Sequence, residues 1–227
     1  LEGRLDAGLE RMGATARAGR AAGYGSIGVT TFRNAALFAA RGLRYEQARI
    51  FLAEGQAYAE TIEQSHCAHM MSALSSMVDW AGADWDGAAS TARQTIADQT
   101  DGRAVAMADT TLGFVAMGRG DLAEAERELT IALDAGEASG WLEMILPPLW
   151  GLAETAVLRG DPARAIGHVR DAFERARAVH ELALLAPFVV TGVRAYQAAG
   201  RPSDAEAWFA ECEVLLASLP TVTEPVP

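Results

Sequence analysis

Gly118-Arg119-Gly120-Asp121-Leu122-Ala123-Glu124-Ala125 decides the fold of this chain. Its last six residues return in altered form as Gly160-Asp161-Pro162-Ala163-Arg164-Ala165 and Gly200-Arg201-Pro202-Ser203-Asp204-Ala205, forty residues apart each time. Stepping back from Ala125, the same ruler meets Ala88 in Asp84-Trp85-Asp86-Gly87-Ala88 after 37 residues. It meets Ala48 in Arg44-Tyr45-Glu46-Gln47-Ala48 after 40 more, and Gly8 in Arg4-Leu5-Asp6-Ala7-Gly8 after another 40. A fixed period of this size marks an array whose unit is one supersecondary element that buries its apolar face only against its neighbours.

The unit reads as a pair of helices. Twelve residues before each anchor stand Ala36, Ser76, Gly113, Ala153 and Val193; four after stand Met12, Leu52, Ala92, Leu129, Val169 and Phe209. A small residue on a first helix (A) admits a larger apolar one on an antiparallel second helix (B). Asp121 and Asp161 suit the N-cap of the B helix, and Pro162 and Pro202 its first position. Alanine is 47 of 227 residues, so propensity also favours helix. The pattern predicts eleven helices and no strand: 4–19, 24–41, 44–62, 64–81, 85–100, 103–118, 121–138, 142–159, 162–179, 182–199 and 202–218. The expected fold is an all-α solenoid of about five and a half repeats in a right-handed superhelix. One repeat domain over 1–219 is expected, with a proline-rich tail or linker at 220–227. Residues 4–19 read as a B helix without its A partner, and Leu5, Leu9 and Met12 keep the spacing of a buried face. The expectation is therefore a piece excised from a longer polypeptide.

Composition removes several classes of chemistry. All nineteen basic residues are arginine, which excludes a P-loop lysine, a lysine Schiff base and a Ser-Lys dyad from these residues. Thirty acidic residues bring the net charge to −11, a poor match for phosphate backbones or anionic lipid, so direct nucleic-acid and membrane contact are not expected. Cys67 and Cys212 fit no metal or redox spacing and suit a reducing, cytoplasmic setting. No cofactor is expected.

The turn segments 118–125 and 158–165, each between two periodic helices, resemble tetratricopeptide (TPR) repeats. Their period near forty, rather than about thirty-four, is similar to that of the superhelical sensor region of large LuxR-type ATP-dependent transcriptional regulators of the maltose-regulator kind. That resemblance implies an array between a nucleotide-binding motor and a helix-turn-helix, binding an inducer or regulatory protein to control self-association. Such repeats also follow ATPase modules in cyclase-like and kinase-like signalling proteins.

Two motifs bear on chemistry. Gly23-Tyr24-Gly25-Ser26-Ile27-Gly28 matches the dinucleotide fingerprint, but no strand is predicted before it, so an inter-repeat turn entering helix 24–41 is expected in place of a nucleotide site. His66 and His69, with Glu63, could share a helix face and hold a divalent metal; their polar neighbours Gln64 and Ser65 suit an exposed pair, and no metal is expected. No Gly-x-Ser-x-Gly or His-Glu-x-x-His occurs, and an enzyme is not expected. Binding is, since stacked hairpins present A helices along a concave surface. Register positions fifteen and eleven before the anchors give Arg33, Met77, Thr110, Phe114, Trp150, Glu154 and Arg194 as groove candidates. Packing against the next repeat is the competing account of the apolar ones. Pro147 and Pro187, matched in register, read as mid-helix kinks that set curvature or free carbonyls for ligand. The mixed charges of the B helices read as a solvated wall or a docking surface, with an Asp171–Arg175 pair across one turn.

The function expected is a sensor or protein-interaction region of a bacterial LuxR-type regulator, binding a protein partner or small-molecule effector, with homo-oligomers as a further outcome. The alternative is a structural or oligomerisation scaffold of another multidomain signalling ATPase or cyclase.

Overall fold

The computed structural model describes residues 2–99, 101–179 and 184–217. Among them lie eleven helices and no strand: α1 (Glu2–Ala21), α2 (Gly25–Arg41), α3 (Tyr45–Thr61), α4 (Ser65–Ala81), α5 (Trp85–Asp98), α6 (Gly102–Gly118), α7 (Leu122–Ser139), α8 (Leu142–Leu158), α9 (Pro162–Val179), α10 (Ala186–Ala198) and α11 (Pro202–Ala217). Even-numbered helices are the A helices and odd-numbered ones the B helices. The fold class is the expected one, an all-α solenoid of TPR-like hairpins. Two compact units divide the chain, unit 1 at Leu1–Val115 and unit 2 at Ala116–Pro227. Among the described residues no helix is long and apolar enough to cross a membrane. The tail 220–227 lies outside the described residues.

The turn that recurs in the sequence recurs as one hydrogen-bonded motif. After α6, Gly120 takes a positive φ of 81°; its N–H donates to the Met117 carbonyl, and that of Asp121 to the Ala116 carbonyl. Gly160 and Gly200, at φ 74° and 70°, close α8 and α10 with the same pair of bonds. Only a residue without a Cβ takes this left-handed conformation freely, which is the physical content of the repeated glycine. The Asp121 carboxylate then accepts from the Glu124 N–H at 3.1 Å and Asp161 from the Arg164 N–H at 3.1 Å, so the predicted N-caps form.

In unit 1 the core gathers Leu9, Phe32, Phe51, Leu52, Met71 and Val78; in unit 2 it gathers Leu146, Leu149, Phe173, Phe188, Tyr196 and Trp208. The anchors Ala48, Ala88, Ala125, Ala165 and Ala205 are all buried. So are Ala36, Ser76, Gly113 and Ala153 on the A helices, and Leu52, Ala92, Leu129 and Val169 on the B helices. The ruler slips at its ends. Gly8 is exposed while Leu9 is buried, and Phe209 is 51% exposed while Trp208 fills the core one residue earlier. Gly192 explains the second slip. A Cβ there would lie 2.2 Å from the Trp208 indole nitrogen, so the missing methyl admits the ring, whose N–H donates to the Val189 carbonyl.

The prolines do not behave alike. Pro147 and Pro148 lie inside α8, as expected of mid-helix prolines. Pro187 lies in the first turn of α10, which starts at Ala186, so the expected mid-helix position is corrected. A first-turn residue has no intrahelical acceptor for its N–H, so proline costs nothing there. The expected start of that helix, 182–183, lies outside the described residues.

Candidate functional site

Three of the seven groove candidates meet on the A helices of unit 2. Trp150 and Glu154 are one turn apart on α8, and Arg194 lies on α10. The link between them is Thr191, which the register did not select. Its hydroxyl accepts from the Trp150 indole N–H at 3.0 Å and lies 2.5 Å from Glu154 Oε1 and 3.0 Å from the Pro187 carbonyl. Glu154 Oε2 lies 2.7 Å from Arg194 Nη1. The Glu154 side chain is 12% exposed and that of Arg194 45%, so a nearly buried carboxylate is matched by a cation whose head remains half in solvent. Thr191 had one signal in the sequence: it holds the same register as Thr111, fourteen before the anchor.

Of the four candidates in unit 1, two face solvent in part. Arg33 and Met77 are half-buried. Thr110 is buried, with its hydroxyl donating to the Ala106 carbonyl of its own helix, and Phe114 is buried with its ring 4.7 Å from that of Trp80. Beneath this face the Ser76 hydroxyl lies 2.7 Å from the Ala73 carbonyl and 3.1 Å from Thr111 Oγ1.

The two histidines diverge. The expected exposed pair is corrected: His69 is buried, with Nε2 2.7 Å from the Thr95 carbonyl. His66 turns the other way, its Nδ1 2.8 Å from Asp101 Oδ2 and its Nε2 3.0 Å from an Arg103 nitrogen. Asp101 also accepts from the Arg103 backbone N–H and so caps α6. No group of three or more metal-ligating side chains occurs among the described residues. The Gly23–Gly28 segment is turn and packing chemistry: Gly23 takes φ 74°, α2 starts at Gly25, and a Cβ on Gly28 would lie 2.9 Å from the Tyr58 ring. Cys212 is a poor nucleophile, because burial, aided by Glu211, pushes its thiol up to about 11.

Charges on the B helices do more than face solvent. The Asp171–Arg175 pair forms at 2.8 Å, but Arg175 also reaches Glu137 on α7 at 2.7 Å. Glu126 on α7 holds both Arg159 and Arg164 from the following hairpin. Arg17 and Glu54 pair across α1 and α3 in the same manner. Partners therefore sit one repeat apart, tying successive hairpins, at no more than about 1 kcal/mol for each exposed pair. One buried and one half-buried group carry a cost. Burial raises the Glu128 carboxyl above its ordinary range against the pull of Arg127, and burial, with Arg164 beside it, lowers His168.

No protein-family model and no curated protein matches this chain. Among solved structures it is similar to the crystal structure of BtubC (BKLC) from P. vanneervenii, with a TM-score of 0.66 at 18% identity, over 99% of this chain and 94% of that one. At that identity the likeness establishes the all-helical repeat fold.

Proposed function

We propose that this chain is the effector- or partner-binding region of a cytoplasmic bacterial signalling protein of the LuxR-type regulator kind, and that it works without catalysing a reaction. The observation that carries the proposal is the network of Trp150, Thr191, Glu154 and Arg194. An aromatic ring, a hydroxyl and an ion pair converge on adjacent A helices, the residue types that anchor recognition surfaces. In unit 1 the same register is proposed to contribute contacts through Arg33 and Met77, with Thr110 and Phe114 as the packing behind them. A single repeat domain over 1–219 belongs to the same proposal, supported by the period running through both units. Signalling would follow from differential affinity of the effector or partner for two states of the array.

The test replaces Trp150, Glu154 and Arg194 together in the full-length protein. Affinity for a small-molecule effector found by thermal-shift screening, or for a partner protein of measured affinity, is expected to fall at least about tenfold, the loss of one interaction of ~1.4 kcal/mol. Unchanged affinity for every ligand of the wild type sinks the assignment.

A second function, an oligomerisation scaffold, is favoured by Phe209. The corresponding positions on α3, α5, α7 and α9 are buried, whereas Phe209 is 51% exposed. A second copy of this chain is the occupant this face suits, and Phe209→Glu is then expected to lower the mass seen by light scattering at high concentration.

A further inference from the structure

We propose that the A-helix face of unit 2 recognises a cationic group of the guanidinium or amine class, and that Arg194 is a built-in stand-in for it. This deepens the binding function proposed above and rests on it. The argument starts from Glu154. Its side chain is 12% exposed, and a carboxylate so placed needs a cation in position at all times, because an uncompensated buried charge is strongly destabilising. Arg194 meets that need with one nitrogen, Nη1, while its side chain is 45% exposed. Carboxylate and guanidinium are built to pair through two parallel bonds, so this contact uses half of what Glu154 can offer. The half-used partner is the replaceable one.

Thr191 makes room for the second bond. Its single proton has two acceptors within reach, Glu154 Oε1 at 2.5 Å and the Pro187 carbonyl at 3.0 Å. When the carboxylate turns towards an incoming cation and Oε1 leaves its 2.5 Å contact, the hydroxyl proton rotates to the Pro187 carbonyl, so the hydroxyl stays satisfied and its oxygen still accepts from the Trp150 indole N–H. An incoming guanidinium then takes both carboxylate oxygens, one helical turn along α8 from the Trp150 indole. Arg194 swings into solvent, where a long side chain regains its freedom. An anion has the opposite consequence. By drawing Arg194 away it would leave Glu154 buried and unpaired. The net charge of −11 further steers cations towards the chain and anions away.

The experiment follows the Trp150 indole N–H resonance, assigned by its loss in Trp150→Phe, during titration with N-acetyl-arginine amide. N-acetyl-citrulline amide, of matching shape but uncharged, and inorganic phosphate are the comparisons. The arginine probe is expected to shift the resonance, and citrulline and phosphate are not. Arg194→Ala is expected to tighten arginine binding about tenfold, since an internal competitor lowers apparent affinity by the fraction of time it occupies the site. Glu154→Gln is expected to abolish it. Arg194→Gln replaces Arg194→Ala if the latter fails to fold. Three results overturn the inference: binding of the arginine probe weakened by Arg194→Ala, a shift with phosphate in its place, or no arginine response in the Arg194 variant. Should the cation class fail while the triple variant still loses its effector or partner, the binding face stands and only its ligand chemistry falls. Should the triple variant lose nothing, the face itself falls.

Discussion

The turns that end the A helices are the same in both units and are built from different residues. Five residues before the anchor, unit 2 places Gly120, Gly160 and Gly200; unit 1 places Leu43 and Ala83. All five take a positive φ, and Leu43 and Ala83 make the same pair of hydrogen bonds as the glycines. Unit 1 has its glycines one residue earlier, at Gly42 and Gly82, where a Cβ would lie 2.4 Å from Leu5 Cδ2 and 2.3 Å from an Arg49 nitrogen. A glycine can relieve the backbone or admit a neighbour. Unit 2 uses it for the first and unit 1 for the second, accepting a strained leucine and alanine in the turn. The A faces differ in the same register. Positions eleven before the anchor are Leu37, Met77 and Phe114 in unit 1 but Glu154 and Arg194 in unit 2. Thr111 and Thr191 stand at one register, yet the first meets a serine and the second an ion pair and an indole.

Close helix contacts give the widest separation between the units. Gly136 of α7 lies against backbone, where a Cβ would come 2.6 Å from the Met144 carbonyl oxygen; Gly13 of α1 lies against the edge of the Phe51 ring. Gly136→Ala is expected to destabilise unit 2 by about 2–3 kcal/mol, and Gly13→Ala to destabilise unit 1 by about 1 kcal/mol because a ring edge can turn aside. Hydrogen exchange read unit by unit measures both, since a chain of two compact units need not unfold in one step. Equal losses would mean that α7 and α8 can slide apart as readily as a ring rotates.

Valine in place of the shared-register threonines sharpens the contrast between the faces. Thr191→Val removes the hydroxyl that bonds both the Trp150 indole N–H and Glu154 Oε1 and is expected to cost about 2 kcal/mol. Thr111→Val leaves Ser76 with the Ala73 carbonyl and is expected to cost about 1 kcal/mol or less. Similar values from chemical denaturation would show that the polar network in unit 2 adds nothing to the packing of its helices.

The turn comparison is tested by reversing it. Leu43 is 69% exposed, so Leu43→Gly removes strain with little loss of packing and is expected to stabilise unit 1 by roughly 1 kcal/mol. Gly160→Ala is expected to destabilise unit 2 by a similar amount, measured as opposite shifts in Tm. The smallest effect concerns pH. His168 is lowered by burial and by Arg164, so below the ordinary histidine value of about 6.5 the unfolded chain takes up a proton that the folded chain resists. Stability of unit 2 is therefore expected to be flat above that value and to fall as pH drops through it towards the lower folded value. Asp171, Glu126 and Asp161 partly offset the effect. His168→Gln removes that slope, and a slope unchanged between pH 7 and 5 would assign it to other groups.

Local signals made the helices legible. Turn glycines, aspartate caps and the period of the anchors placed all eleven helices, because the bonds that start and stop a helix join residues within one turn of each other. The candidate site was legible in part. Register selected Trp150, Glu154 and Arg194, and it selected Thr110 and Phe114 with equal weight, although these are buried. It passed over Thr191, and it could not tell the glycine of Gly42, required by Leu5, from the glycine of Gly160, required by its own φ.

The amino-acid sequence alone determined the repeat, the helix ends and the all-α class, since each depends on hydrogen bonds and apolar spacing inside a short window. Only the tertiary structure decided which residues a repeat apart meet. Thr191 finds partners 37 and 41 residues away, and Arg175 finds Glu137 at a separation of 38. Contacts of that range depend on how closely two helices approach and at what rotation, which every side chain between them sets together. That is why one register position is a packed phenylalanine in unit 1 and a solvent-facing arginine in unit 2.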